Sequence, residues 1–190
     1  MKNYGIKPTY QHRDDAWVFD DTPFTDEFQP EVYDYASTVA ASMGARCVVD
    51  LGCGSGFKLM KHFAHLYTVG IDLAPTIRFC REKYPERTWV VAGDSVAIGR
   101  PCLLVCSDVI EHLSNPDELL DTIERLTPDE IIISTPDRVE LAMGTEDGPP
   151  RNIHHYREWT HDEFVDYIGS RFKVVESFRG KTIRVRAHLK

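Results

Sequence analysis

Apolar and polar positions along this chain recur with two different periods, and the switches between them mark out its elements. From Pro30, the residues Val32, Ala36, Val39, Ala40 and Met43 fall on one helical face, with proline suited to the first turn and Gly44 to the end. Strand formers follow in Val48-Val49-Asp50-Leu51, and then three glycines stand two apart, Gly52, Gly54 and Gly56. Phe57, Leu59, Met60, Phe63 and Ala64 resume helical spacing. The same alternation returns with a strand over 67–72, a helix from Pro75 carrying Ile77, Cys80 and Tyr84, and a strand over 88–92 closed by Gly93-Asp94-Ser95. A fourth strand, Leu103-Leu104-Val105-Cys106, ends at Ser107-Asp108. Ser114-Asn115-Pro116 then opens a helix with Leu119, Leu120, Ile123 and Leu126 on its buried side, and Ile131-Ile132-Ile133-Ser134 is a fifth strand. Continuously apolar strands imply a sheet covered on both faces, and their alternation with helices implies parallel pairing.

The last third reads differently. Residues 136–158 show no period, and a loop of that length in a compact domain usually has a function. Thr160-His161-Asp162-Glu163 forms a capping box, with Trp159 and Phe164 placed as its hydrophobic staple. Glu163 and much of Glu158-Trp159-Thr160 therefore read as helix architecture. Strands over 172–178 and 182–189, joined by Arg179-Gly180-Lys181, form a hairpin in which Ile183, Val185, Ala187 and Leu189 alternate with polar residues. Residues 1–25 have no period and read as an arm or lid, leaving 26–190 as one domain.

Composition narrows the classes of function. The 190 residues carry 22 Lys and Arg against 30 Asp and Glu, a formal charge of −8. That balance argues against broad nucleic-acid binding, which depends on neutralising phosphates. No apolar run approaches membrane-spanning length, and Met1-Lys2-Asn3-Tyr4 opens no signal-peptide pattern. The five cysteines, Cys47, Cys53, Cys80, Cys102 and Cys106, contain no C-x-x-C pair and read as reduced, packed thiols of a cytoplasmic protein. A membrane partner is not expected, and a homodimer is compatible with the sequence.

The turn at Asp50-Leu51-Gly52-Cys53-Gly54-Ser55-Gly56 is the strongest signal. Its glycines let backbone approach a ligand closely, and the following helix offers unpaired N–H groups. A dinucleotide fingerprint, G-x-G-x-x-G, would want glycine at position 57, where Phe57 stands. With the acid that closes Gly70-Ile71-Asp72, with Gly93-Asp94, and with Ser107-Asp108-Val109-Ile110-Glu111-His112, this turn resembles the class I S-adenosylmethionine-dependent methyltransferases. The resemblance covers about residues 26–190. It implies an α/β, Rossmann-like fold: a seven-stranded, mostly parallel sheet with an antiparallel last strand and helices on both faces. It implies S-adenosyl-L-methionine as cofactor, held by Asp50, Gly52, Cys53, Gly54 and Gly56, by Asp72 and Leu73, by Asp94 and Ser95, and by Ser107 and Asp108. Asp72, 20 positions after Gly52, is suited to ribose hydroxyls. In the amino-terminal segment Tyr10, Asp21, Thr22, Phe24 and Gln29 are candidates to close over the cofactor.

The chemistry points to the stretch after the fourth strand and to the long loop. Methyl transfer needs the nucleophile in line with the methyl group, and a hydroxyl acceptor also needs a base. His112 and His155 are the candidate bases, with Glu111 beside them; Asp108, Glu111 and His112 at i, i+3 and i+4 would share one helical face. Arg151, His154 and Tyr156 are candidates for acceptor binding. Asp108-x-x-Glu111-His112, with His155 later in the chain, is also similar to the metal site of the RNA 3′-terminal 2′-O-methyltransferases, although Asp108 shortens an arm that is Glu in that family. Two carboxylates and two imidazoles would suit manganese, iron or zinc. The main expectation is methylation of a small molecule or glycan, at oxygen, without a metal. The alternatives are divalent-metal-dependent methylation of a ribose hydroxyl at an RNA end, and a non-catalytic S-adenosylmethionine-binding partner subunit.

Overall fold

The computed structural model describes residues 2–94, 99–140 and 146–190. Helix α1 (Pro30–Ser42) leads into strand β1 (Cys47–Leu51), followed by α2 (Phe57–Phe63), β2 (Tyr67–Asp72), α3 (Ala74–Lys83), β3 (Thr88–Val91) and β4 (Leu103–Ser107). A single 3-10 turn at Ile110–His112 precedes α4 (Asp117–Leu126), β5 (Glu130–Pro136), α5 (His161–Arg171), β6 (Phe172–Phe178) and β7 (Thr182–Leu189). The strands take the order β3-β2-β1-β4-β5-β7-β6 in one seven-stranded sheet. β1 pairs in parallel with β2 and β4, and β2 with β3, whereas β6 and β7 are antiparallel. The expected sheet, with its antiparallel end, is therefore present.

Two compact units make up the chain. The first comprises Asp20–Ser107 and Leu126–Ile132. Its core is built by the face of α1 that the sequence indicates, Val32, Ala36, Val39 and Ala40, packed with Val48, Leu59, Phe63, Ile77, Trp89, Leu103, Val105 and Ile132. β4 is buried along its whole length, as a strand covered on both faces should be.

The second unit comprises Met1–Phe19, Asp108–Arg125 and Ile133–Lys190. Trp159 lies at its centre, fully buried and stacked on Tyr167 at 5.8 Å between ring centroids. Its indole N–H donates to the Tyr4 carbonyl, and Ile6 and Tyr10 are buried here too. Residues 2–19 thus belong to this unit and send Ile6 and Tyr10 into its interior, while Trp17 and Val18 stay exposed. The expected capping box is formed: Glu163 N donates to Thr160 Oγ1 (3.4 Å) and Thr160 N to Glu163 Oε2 (2.9 Å). Glu163 also receives Arg138 and the amide of Lys7, so one carboxylate serves the helix end, the long loop and the amino-terminal segment.

No helix among the described residues is long and apolar enough to cross a membrane. Thr160→Ala removes one half of the capping box, and the chain should lose about 1 kcal/mol of stability. Urea unfolding checks this: the midpoint should fall with the slope unchanged, and an unaltered midpoint would show that the cap contributes nothing.

Candidate active site

Asp50, next to last in β1, is wholly buried, and both of its carboxylate oxygens accept the Tyr33 hydroxyl, at 3.2 and 3.1 Å. The chain then turns through Gly52, Gly54 and Gly56, all with positive φ. A side chain at Gly54 would collide with the Asp21 carboxylate, and one at Gly56 would meet the Trp89 ring. Asp72, at the end of β2, fastens this turn from beside it: Oδ2 accepts Gly54 N (2.9 Å) and Oδ1 accepts Leu73 N (2.6 Å). The turn is a bare-backbone cradle surrounded by carboxylates. Burial raises the pKa of all three acids, Asp50 to about 8, Asp21 to about 6 and Asp72 upward, and each has another of the three acids or Asp20 adding to the shift or spends its oxygens on backbone amides. Such a site favours a ligand that carries positive charge.

A second cluster lies in the other unit. Asp108 takes a left-handed conformation (φ 51°), its amide donates to the Ser134 carbonyl, and its carboxylate accepts the Ser134 hydroxyl at 2.6 Å. The 3-10 turn that follows carries Glu111 and His112. Glu111 is wholly buried; Oε2 accepts Thr135 Oγ1 (3.1 Å), and Oε1 has no hydrogen-bond partner among the described residues. His112 Nδ1 lies 2.8 Å from the His154 carbonyl, so it carries the proton and leaves Nε2 as a lone pair, 3.9 Å from Glu111 Oε1. His155 is fixed in the same way by Glu158 Oε1, 2.7 Å from Nδ1, while its Nε2 lies 2.9 Å from Asn152 Nδ2. Glu111, His112 and His155 each offer a ligand atom, all within 4.8 Å of one another. Burial and the neighbouring His155 bring the His112 pKa down to about 4, and burial beside Asp108 pushes the Glu111 carboxyl well up.

The methyltransferase-domain family profile matches residues 23–187. The chain belongs to that family. Among solved structures, this methyltransferase is similar to the magnesium protoporphyrin IX methyltransferase of Synechocystis PCC 6803 with bound SAH, at 14% identity over 84% of this chain and 83% of that one (TM-score 0.63). It is also similar to the methyltransferase domain of bacterial CtHen1, at 21% identity over 83% and 96% of the two chains (TM-score 0.61). A third likeness is to the plantazolicin methyltransferase BamL in complex with SAH, at 18% identity over 80% and 66% (TM-score 0.61). At such identities the likenesses establish the Rossmann-like methyltransferase fold. No curated protein sequence matches the chain significantly. The family and the fold make S-adenosylmethionine the cofactor, and the glycine cradle with its desolvated acids suits that cation.

The residues singled out in the sequence fall in distinct places. Asp50, Gly52, Cys53, Gly54, Gly56 and Asp72 meet at the cradle of the methyltransferase, and Leu73, half exposed, opens α3 there. Asp94 is exposed in the turn after β3, and Ser95 lies outside the described residues. Ser107 is buried at the end of β4. The expected helical face of Asp108, Glu111 and His112 is not formed, because the left-handed backbone at Asp108 sends its carboxylate to Ser134. Arg151 is exposed; His154 gives its carbonyl to His112, and Tyr156 N donates to the Glu111 carbonyl. Glu158 is not helix architecture, as the sequence had suggested, but the buried partner of His155. Thr135 and Tyr33 gave no signal, and Asn152 stood out only as one residue of the long loop, since ordinary side chains at strand and loop positions acquire roles only through tertiary contact.

Asp50, with a pKa near 8, keeps its proton in the folded chain at pH values where the unfolded chain has lost it. Folding therefore takes up a proton between roughly pH 4 and 8, and the folded state loses stability as pH rises through that window. Asp50→Asn escapes this loss. Without cofactor, its unfolding midpoint should gain on the wild type from pH 4 to 8 and stay level above; a difference independent of pH would contradict the burial argument.

Proposed function

We propose that this methyltransferase transfers the methyl group of S-adenosylmethionine to a hydroxyl oxygen of a small-molecule or glycan acceptor, with Glu111, His112 and His155 as the groups that activate the hydroxyl. The observation that carries the reading is Glu111 Oε1, wholly buried, without a hydrogen-bond partner among the described residues, and facing an imidazole lone pair. A buried acceptor left unsatisfied is costly, so the arrangement is built for something absent from the chain itself.

Proton transfer alone would use this cluster poorly. An imidazole whose pKa lies near 4 is neutral at pH 7 but a weak base. The same neutrality suits a metal ligand, and both imidazoles have their Nδ1 protons anchored, His112 by a carbonyl and His155 by a carboxylate, which is how ligating histidines are commonly held. One carboxylate and two imidazoles fit manganese, iron or zinc, and such an ion would lower the pKa of an acceptor hydroxyl sharing it. The chain's own part is then to hold Glu111 through Thr135, His155 through Glu158, and His112 through the His154 backbone. The geometry favours this metal-assisted form over direct base catalysis. The same ligands underlie the similarity to the RNA 3′-terminal 2′-O-methyltransferases, so a ribose hydroxyl at an RNA end is the second reading; the charge of −8 weighs toward a small acceptor.

Purified protein should bind manganese or zinc at one site per chain, measured by calorimetry with the metal alone. Glu111→Gln and His155→Ala should abolish that binding while leaving cofactor affinity within about twofold, and Glu158→Gln should weaken it about 10- to 100-fold. Methyl transfer from labelled cofactor, screened over hydroxyl acceptors and short RNA ends, should stop after chelation and return with the ion. Transfer that ignores chelation would remove the metal from the account. Unchanged transfer by His155→Ala would remove the cluster altogether.

A further inference from the structure

The glycine cradle contains an acid that neither the family's motifs nor the chemistry above employs. Asp21 lies 29 positions before Asp50, in a turn closed by Phe24 N donating to the Asp21 carbonyl (2.9 Å). Its neighbour Asp20 is occupied locally, its Oδ1 accepting the amide and hydroxyl of Thr22 (3.0 and 2.7 Å). Asp21 is turned instead onto the cradle: its carboxylate occupies the space that a side chain on Gly54 would fill. Gly54, at φ +49°, is the residue whose amide Asp72 holds.

The charges around Asp21 leave its carboxylate poorly balanced. Asp72 faces it from the end of β2 and Asp20 from its own turn, both raising its pKa, and Asp50 at the end of β1 feels Asp21 in return. Lys58 on α2 is the opposing cation. Its ammonium, however, is held by Gln29 Oε1 at 3.1 Å and by the Phe28 carbonyl at 3.4 Å. A half-buried carboxylate pressed on bare backbone among other acids gains from a cation delivered into the cradle.

We propose that Asp21 is a donor-binding residue, whose carboxylate over Gly54 meets the positive charge of S-adenosylmethionine and makes the cradle prefer the sulfonium to the thioether product. Transfer breaks the S–CH3 bond and leaves its electron pair on sulfur, so the sulfonium charge disappears while the ammonium and carboxylate of the cofactor remain. The carboxylate therefore favours the loaded donor and loosens its hold when the methyl has gone. This rests on the glycine turn as the cofactor site.

Calorimetry on the full chain, with S-adenosylmethionine and its demethylated thioether as separate titrants at pH 5.0 and 7.0, tests the proposal. Asp21, with a pKa near 6, passes from mostly protonated to mostly ionised over that range, so wild-type affinity for the donor should rise by up to about tenfold. Asp21→Asn should lose about tenfold in donor affinity at pH 7.0 and most of that pH dependence, with thioether affinity changed less than about threefold; Asp21→Glu should recover part of the loss. Equal losses for donor and thioether would overturn the charge argument, and unchanged donor binding would overturn any role for Asp21. Failure of the wild type to bind either titrant would instead refute the cradle as the cofactor site. Thioether binding by Asp21→Asn shows that the variant is folded.

Discussion

Burying a carboxylate without a cation bonded to it is expensive, and this protein does so in both of its compact units. Asp50, Asp72 and Asp21 crowd the glycine cradle, and Glu111 stands wholly buried with one oxygen unmet. Three of the four are partly supported by neutral donors: Tyr33 for Asp50, the Gly54 and Leu73 amides for Asp72, Thr135 for Glu111. Hydroxyls and amides soften the cost but do not cancel it, and the acids answer with raised pKa values. The deficit of positive charge is the constraint from which the functional reading follows. In the proposed reading, a sulfonium cofactor supplies the charge at the first centre, and a divalent ion would match the second.

The rest of the fold holds these acids in place. Asp50, next to last in β1, and Asp72, last in β2, lie on adjacent parallel strands in register, with Asp50 opposite Gly70 and Leu51 opposite Ile71, so their carboxylates arrive at the same end of the sheet. Gly70 itself is required there, because a Cβ would run into Trp89 and Cys53. In the other unit, the left-handed backbone at Asp108, held by both groups of Ser134, aims the next turn so that Glu111 faces inward.

Much of this was legible in the sequence, and the illegible part has a physical cause. The α1 face, the glycine turn, the acid of β2 and the capping box at Thr160 are local signals whose period or spacing survives without tertiary context. Asp108 misled because spacing of i, i+3 and i+4 assumes a helix, and one residue with positive φ breaks that assumption. His155 was a candidate, but its meeting with Glu111 depends on a loop without a period, fastened by the Tyr156 amide on the Glu111 carbonyl. Glu158 was masked by the capping box beside it, where an acid is expected for a different reason. Asp21 was a candidate to close over the cofactor, but it lay in a segment of no pattern, and the space above Gly54 is what identifies the group it faces.

Carboxyl carbon resonances, followed by NMR through a pH titration of protein labelled at Asp and Glu, report the buried charge most directly. In the free protein a group of carboxyls should titrate well above the ordinary range, and adding S-adenosylmethionine and manganese should bring them down. If every carboxyl of the free protein titrates as an exposed one does, the charge deficit is absent and the account of both centres is wrong.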